Sequence, residues 1–308
     1  MIAAAGRLGR PPRPMRVRSI PSPAACVVAF FALAAAGVPA TSEETTVHLV
    51  ACAPGYPGST EQAQPTMDEF AALIATAGQR PAGSVTAEYH ETEEGGLERL
   101  ATGAADLALV PLPFFLKHEE ELGFEPLLQA AQESGSSLET WSLVAPAGRV
   151  GSPAALDGWE LIAIPAYAPG FVRGPVLGSW GELPAGLNLT FSRRVLAGVR
   201  RALAGEEVAV LLDGAQTAAL AALPGGETLE IVAESPPVLA ALLVAVGERL
   251  TAEEKETLTA GLLGVHDRGD FDEILSTMRL TRFEPLDAEA LGAARRAYAA
   301  ALEALEPR

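Results

Sequence analysis

An α/β fold with a parallel sheet is what this sequence predicts, and three observations carry the prediction. Short apolar runs alternate with amphipathic stretches. Several runs lack polar alternation, as strands covered on both faces do, and most stop at a Gly, Pro or aromatic loop.

The elements follow in order. Val47-His48-Leu49-Val50-Ala51-Cys52 reads as a buried strand, broken by a loop at 53–58. Thr66-Met67-Asp68-Glu69 has capping-box spacing, which predicts a helix starting there with Phe70, Leu73, Ile74 and Ala77 on its buried face and Gly78 as its stop. Residues 84–89 alternate like a strand, 96–101 form a short helix closed by Gly103, and 105–110 make a third strand ending in a Pro and aromatic loop, 111–115. A strand at 140–145 is followed by a hinge at Pro146-Ala147-Gly148.

A second α/β unit then starts with a turn at Ser152-Pro153. It holds strands at 160–164, 187–191, 208–212 and 229–233, with helices at 176–180 and 195–204 between them. After Ser235-Pro236-Pro237 the pattern turns helical: a capping box at Thr251-Ala252-Glu253-Glu254, a helix capped at Asp270 running to Met278, and a last helix from Asp287.

Residues 1–40 stand apart. Five arginines precede an apolar stretch of about 14 residues, short of the roughly 20 that span a bilayer, and Val38-Pro39-Ala40 fits signal cleavage after Ala40. Met15 is an alternative start, and a retained anchor is the competing reading. The expected location is the periplasm, with no membrane contact after cleavage. The leader holds no acid, so the remainder carries 17 basic against 39 acidic residues, net −22, which makes nucleic acid a poor partner. Cys52 is then the only cysteine, and no internal disulfide forms.

Catalytic and cofactor signatures are missing: no His-Glu-x-x-His, Cys-x-x-Cys, Gly-x-Ser-x-Gly, Walker lysine or dinucleotide fingerprint. The four histidines, at 48, 90, 118 and 266, are scattered, and no metal or cofactor is expected. Cys52 reads as a buried apolar thiol. Arg268-Gly269-Asp270 reads as a helix cap. Aromatic residues Tyr56, Phe114, Phe115 and Tyr167 lie past strand carboxyl ends, the edge where open α/β sheets take ligands.

The stretch Ala166-Tyr167-Ala168-Pro169-Gly170-Phe171-Val172-Arg173-Gly174-Pro175 runs from strand to helix, the usual seat of an anion, yet holds no hydroxyl of Ser or Thr. The order of "LERLATGAADLALV", "SPAALDGWELIAI", "ESPPV" and "DFDEILSTMRLTRFEPLD" resembles that in phosphate/phosphonate-type periplasmic substrate-binding proteins.

That resemblance implies an α/β, two-lobed class II periplasmic-binding-protein-like fold, each lobe a mostly parallel sheet flanked by helices, with two hinge crossovers. Lobe one would hold 46–145 and 236–308, and lobe two 146–235. It implies a non-enzymatic, monomeric solute-binding protein, serving an ABC-type permease and closing on a small ligand. The candidate ligand residues are Tyr56, Glu94, Pro111 and Phe114 from the first lobe, and Tyr167, Gly170, Arg173, Ser192 and Asp213 from the second.

Family members hold phosphonate with Ser-Thr-Ser where this chain has Tyr167-Ala168-Pro169. An expected aromatic is replaced by Glu93 or Glu94, and an expected carboxylate falls at Ala240 or Ala241. A ligand other than a phosphonate is therefore expected. The alternatives are a sensor or scaffold on the same fold, and an enzyme resembling the menaquinone-pathway dehydratases.

Overall fold

A computed structural model describes residues 46–267, 269 and 271–305; the leader and the expected Asp270 cap lie outside them. Strand β1 (Val47–Cys52) leads to α1 (Thr60–Ala77), capped by the Ser59 hydroxyl, which accepts from the Gln62 N–H at 3.3 Å. This helix starts at Thr60 instead of Thr66, a start that Pro65 inside the helix obscures in the sequence. Next come β2 (Val85–His90), α2 (Glu93–Ala101), β3 (Leu107–Pro111) and α3 (Leu112–Leu122). Helix α3 replaces the expected aromatic loop. Pro111 is its N-cap and Pro113 lies in its first turn, positions where the missing N–H would have had no helical partner.

The chain continues through β4 (Phe124–Gln132), β5 (Leu138–Glu139), β6 (Ser142–Pro146), β7 (Glu160–Ala163) and α4 (Pro169–Phe171). Helix α4 widens into a π-helical turn, Val172–Val176, with Pro175 inside it. Then follow β8 (Asn188–Phe191), α5 (Val195–Leu203), β9 (Val208–Leu212), α6 (Gly214–Leu220), β10 (Leu229–Glu234) and β11 (Val238–Leu239). Two further strands, β12 (Ala241–Val246) and β13 (Leu280–Pro285), interrupt the expected run of helices α7 (Ala252–Leu263), α8 (Asp272–Thr277) and α9 (Ala288–Leu305).

The strands form two main sheets, ordered β13-β4-β12-β3-β1-β2 and β10-β6-β9-β7-β8. Both are mixed. Strand β1 pairs parallel with β2 and β3, and β7 with β8 and β9, while the strands around each crossover pair antiparallel. Strand β6 pairs with β9 and β10 in the second sheet, and residues 138–141 lead into it from β4 of the first. The crossings lie side by side: β5 pairs antiparallel with β11, Glu139 facing Val238 and Leu138 facing Leu239. Trp141 N–H donates to Ser235 Oγ at 2.9 Å, and Ser235 N–H returns to the Trp141 carbonyl at 2.8 Å.

One apolar cluster runs through both lobes, joining Phe114, Phe115 and Leu242 of the first to Leu143, Phe171 and Val176 of the second. Helix α9 leaves the first sheet and packs along Val172–Val176. At Gly174 an added Cβ would come 2.7 Å from the Ala297 carbonyl carbon, so only glycine permits this approach. No helix among the described residues is long and apolar enough to cross a membrane.

Candidate functional site

A cavity lies at the hinge, walled by both lobes. The first lobe gives Pro54, Tyr56, Pro111 and Pro113; the crossings give Glu139, Trp141, Leu239 and Ala240; the second lobe gives Ile164, Pro165, Tyr167 and Phe171. Its volume is about 10 Å³, the room that one water needs. Trp141 and Phe171 meet edge to face, ring centres 6.2 Å apart, and form one corner.

Glu139 is the one charged residue in this lining. Burial, with a smaller contribution from the Asp213 charge, pushes its carboxyl up to about 8 from 4.5. It makes no side-chain hydrogen bond or ion pair among the described residues. Burial also raises the Tyr56 and Tyr167 phenols, and the buried Tyr167 hydroxyl has no hydrogen-bond partner. Asp213 caps α6, accepting from Gln216 N–H at 2.7 Å, and burial raises its carboxyl too.

Backbone donors are scarce at this cavity. Four of the lining residues are prolines, which have no N–H. The first N–H of α3, on Leu112, is taken by the Ala240 carbonyl at 3.1 Å. In the loop before α4, Ala168 N–H donates to Pro165 and Phe171 N–H to Ala168, both at 2.9 Å. The turn that suits an anion in other α/β sheets is folded onto itself here.

Of the residues picked from sequence, Tyr56, Pro111 and Tyr167 line the cavity, Asp213 lies near enough for its charge to act on Glu139, and the others lie elsewhere. Glu94 is exposed in the first turn of α2. Phe114 is fully buried, its ring 4.7 Å from that of His118, because the expected loop is a helix. Gly170 faces α9, where an added Cβ would meet the Tyr298 ring at 2.8 Å. Arg173 does not line the cavity and donates to the Leu183 and Pro184 carbonyls at 3.0 and 3.3 Å, and burial lowers its pKa. Ser192 Oγ accepts from Arg194 N–H at 3.1 Å, ahead of α5.

Sequence reasoning missed Glu139 and Trp141. Their signal is an acid and a large aromatic inside the short crossing Leu138-Glu139-Thr140-Trp141, where a plain linker would carry neither. Ala240, where the resemblance places a carboxylate, does line the wall.

Glu93, one turn-residue ahead of Glu94, holds a separate polar cluster. Its Oε1 accepts from Lys117 Nζ at 2.7 Å and lies 2.6 Å from His118 Nε2. Burial acts to raise the Glu93 carboxyl, but the His118 and Lys117 hydrogen bonds outweigh it and the net shift is downward. Lys117 Nζ also donates to the Tyr167 carbonyl at 2.7 Å, linking α3 to the second lobe. Cys52 is fully buried, and burial drives its thiol far above the ordinary value. Among the described residues no three His, Cys, Asp or Glu side chains are placed to hold a metal ion.

No protein-family model matches the sequence, and no curated protein matches it significantly. Solved structures do. The protein XAC2383 of Xanthomonas citri bound to ATP superposes with a TM-score of 0.67 at 13% identity, over 85% of this chain and 100% of that one. A binding protein component of an ABC phosphonate transporter from Pseudomonas aeruginosa gives 0.57 at 13%, over 84% and 94%. PhnD1 from Prochlorococcus marinus in complex with methylphosphonate gives 0.57 at 13%, over 84% and 99%. With two mixed sheets joined by paired crossings, the chain has the two-lobed class II periplasmic-binding-protein fold.

Proposed function

We propose that this chain is an extracytoplasmic solute-binding protein that takes a small ligand between its lobes and hands it to an ABC-type permease. The observation that carries this reading is the position of the cavity. Its walls come from both lobes and from both crossings, so any group seated there stabilises the closed arrangement over an open one. The similarity to a binding component of a phosphonate transporter supports the transport context. The leader-like residues 1–40 support an extracytoplasmic location.

The wall chemistry argues against a phosphonate. Such a ligand needs convergent donors, and this cavity offers prolines, aromatics and a carboxyl. A melting-temperature screen with amines, amino acids, sugars and phosphonates tests the reading. A saturable rise with one solute class, confirmed by calorimetry, supports it. A flat response to every class overturns it.

The small volume of the cavity favours a second reading, a scaffold or sensor that works closed. It predicts a radius of gyration that no solute changes, and capture of a defined partner through the outer surface.

A further inference from the structure

The hinge cavity has a donor and acceptor balance that selects the sign of its occupant. An anion would find no Arg, Lys or His in the lining, four prolines without N–H groups, and the first α3 N–H already engaged. The polar side chains present are the Glu139 carboxyl, which accepts only once ionised, and the buried Tyr167 hydroxyl, a donor and acceptor without a partner. The edge-to-face Trp141 and Phe171 rings add aromatic walls of the kind that attract cations. An ammonium group carries donors only, so it is the complement of an ionised Glu139 and of the Tyr167 oxygen.

We propose that the cavity seats a compact cation of the ammonium class, ammonium itself or the head of a small primary amine, between the Glu139 carboxylate, the Tyr167 hydroxyl and the Trp141–Phe171 corner. This deepens the solute-binding reading and rests on it. A volume of about 10 Å³ admits a head group the size of a water, and a larger body requires the lobes to part.

Binding is linked to protons. Glu139 must ionise to pair with the cation, and its carboxyl sits at about 8. The charged and titratable groups around it are Asp213 at the start of α6, Tyr56 from the β1–α1 loop and Tyr167 ahead of α4; Arg279, just before β13, acts on Tyr56 and Asp213. Affinity therefore rises with pH, up to roughly tenfold per unit below 8.

The test is calorimetric titration with ammonium chloride and methylammonium chloride at fixed ionic strength, in amine-free buffer, from pH 6 to 8. Sodium chloride and methylphosphonate serve as comparison titrants. The expected result is saturable binding of at least one ammonium titrant and none of sodium chloride. Glu139→Gln weakens it at least tenfold and removes the pH dependence. If Glu139→Gln does not fold, Tyr167→Phe, which keeps the ring, is expected to weaken binding several-fold. Unaltered binding in the variant that folds places the cation elsewhere and overturns the proposal. If a sugar or phosphonate binds and ammonium titrants do not, the proposal falls while the solute-binding reading stands. If no solute of any class binds, both fall.

Discussion

Glu139→Gln also has a consequence for the unliganded protein. The Glu139 carboxyl sits at about 8 in the folded chain against an ordinary 4.5, because burial and the Asp213 charge disfavour ionisation. The unfolded chain releases this proton near 4.5, so between 4.5 and 8 the folded state binds more protons than the unfolded one. Stability contributed by the site therefore falls as pH rises through that window, by up to about 1.4 kcal/mol per unit. From pH 5 to 8 the ceiling is about 4 kcal/mol, and partial solvent access halves it to roughly 2 kcal/mol. Glutamine keeps the shape and cannot ionise. For a chain of this size about 2 kcal/mol is roughly 4–8 °C in Tm. Scanning calorimetry of both proteins in amine-free buffer should give nearly equal Tm at pH 5 and a variant about 4–8 °C more stable at pH 8. A gap that does not change with pH, or a wild type that gains on the variant as pH rises, refutes burial of an unpaired carboxyl at the hinge.

Other consequences follow from packing. Gly174→Ala should lower stability by about 1–3 kcal/mol, because its Cβ would meet the α9 backbone; Gly151→Ala, with open space around it, should stay within about 0.5 kcal/mol by the same melting assay. Cys52 should react with iodoacetamide roughly 100-fold slower in the native protein than in urea, since it is both buried and held as the thiol. Arg173→Ala should cost about 1–3 kcal/mol by denaturant unfolding through the Leu183 and Pro184 carbonyls, and leave solute binding unchanged.

How legible the molecule was depended on which physical signal each part carries. Strands buried on both faces, such as Val208–Leu212, are continuous apolar runs and can be read directly. The capping box at Thr251 is local chemistry and is where the sequence places it, with Glu254 N–H donating to Thr251 Oγ1 at 3.2 Å. Helix α3 was hidden because two prolines mimic a loop while occupying the helix positions that tolerate them. Strand β12, Ala241–Val246, is an apolar run like Val208–Leu212 and was missed because a short apolar run suits a buried helix as well. Strand β13, with Arg282 and Glu284 in it, is fixed by its long-range pairing with β4. The site was legible in part for the same reason. Tyr56 and Tyr167 announce themselves as aromatics at strand ends. Glu139 matters only because β5 meets β11, and no spacing rule reveals that pairing.

The crossings set how the cleft can open, and α9 decides what opening must break. Toward the second lobe, α9 packs against Gly170 and Gly174 with no room for a methyl group, an apolar contact that would be exposed if the helix came away. Toward the first lobe, Arg295 donates from Nε to Glu119 Oε2 at 2.9 Å and its guanidinium lies 5.4 Å from the Phe115 ring centre. Arg295 is 41% exposed, and an ion pair of that exposure is worth at most about 1 kcal/mol. Exposing the apolar contact costs about 25 cal/mol for each Å² uncovered. Asp287 N–H, held by Gln129 Oε1 at 2.8 Å, ties the start of α9 to the first lobe. Lys117 likewise bridges the lobes, from Glu93 on the first to the Tyr167 carbonyl on the second. Parting the lobes would break these half-exposed polar contacts and also the buried apolar cluster that joins Phe114, Phe115 and Leu242 to Leu143, Phe171 and Val176, so apolar burial resists opening.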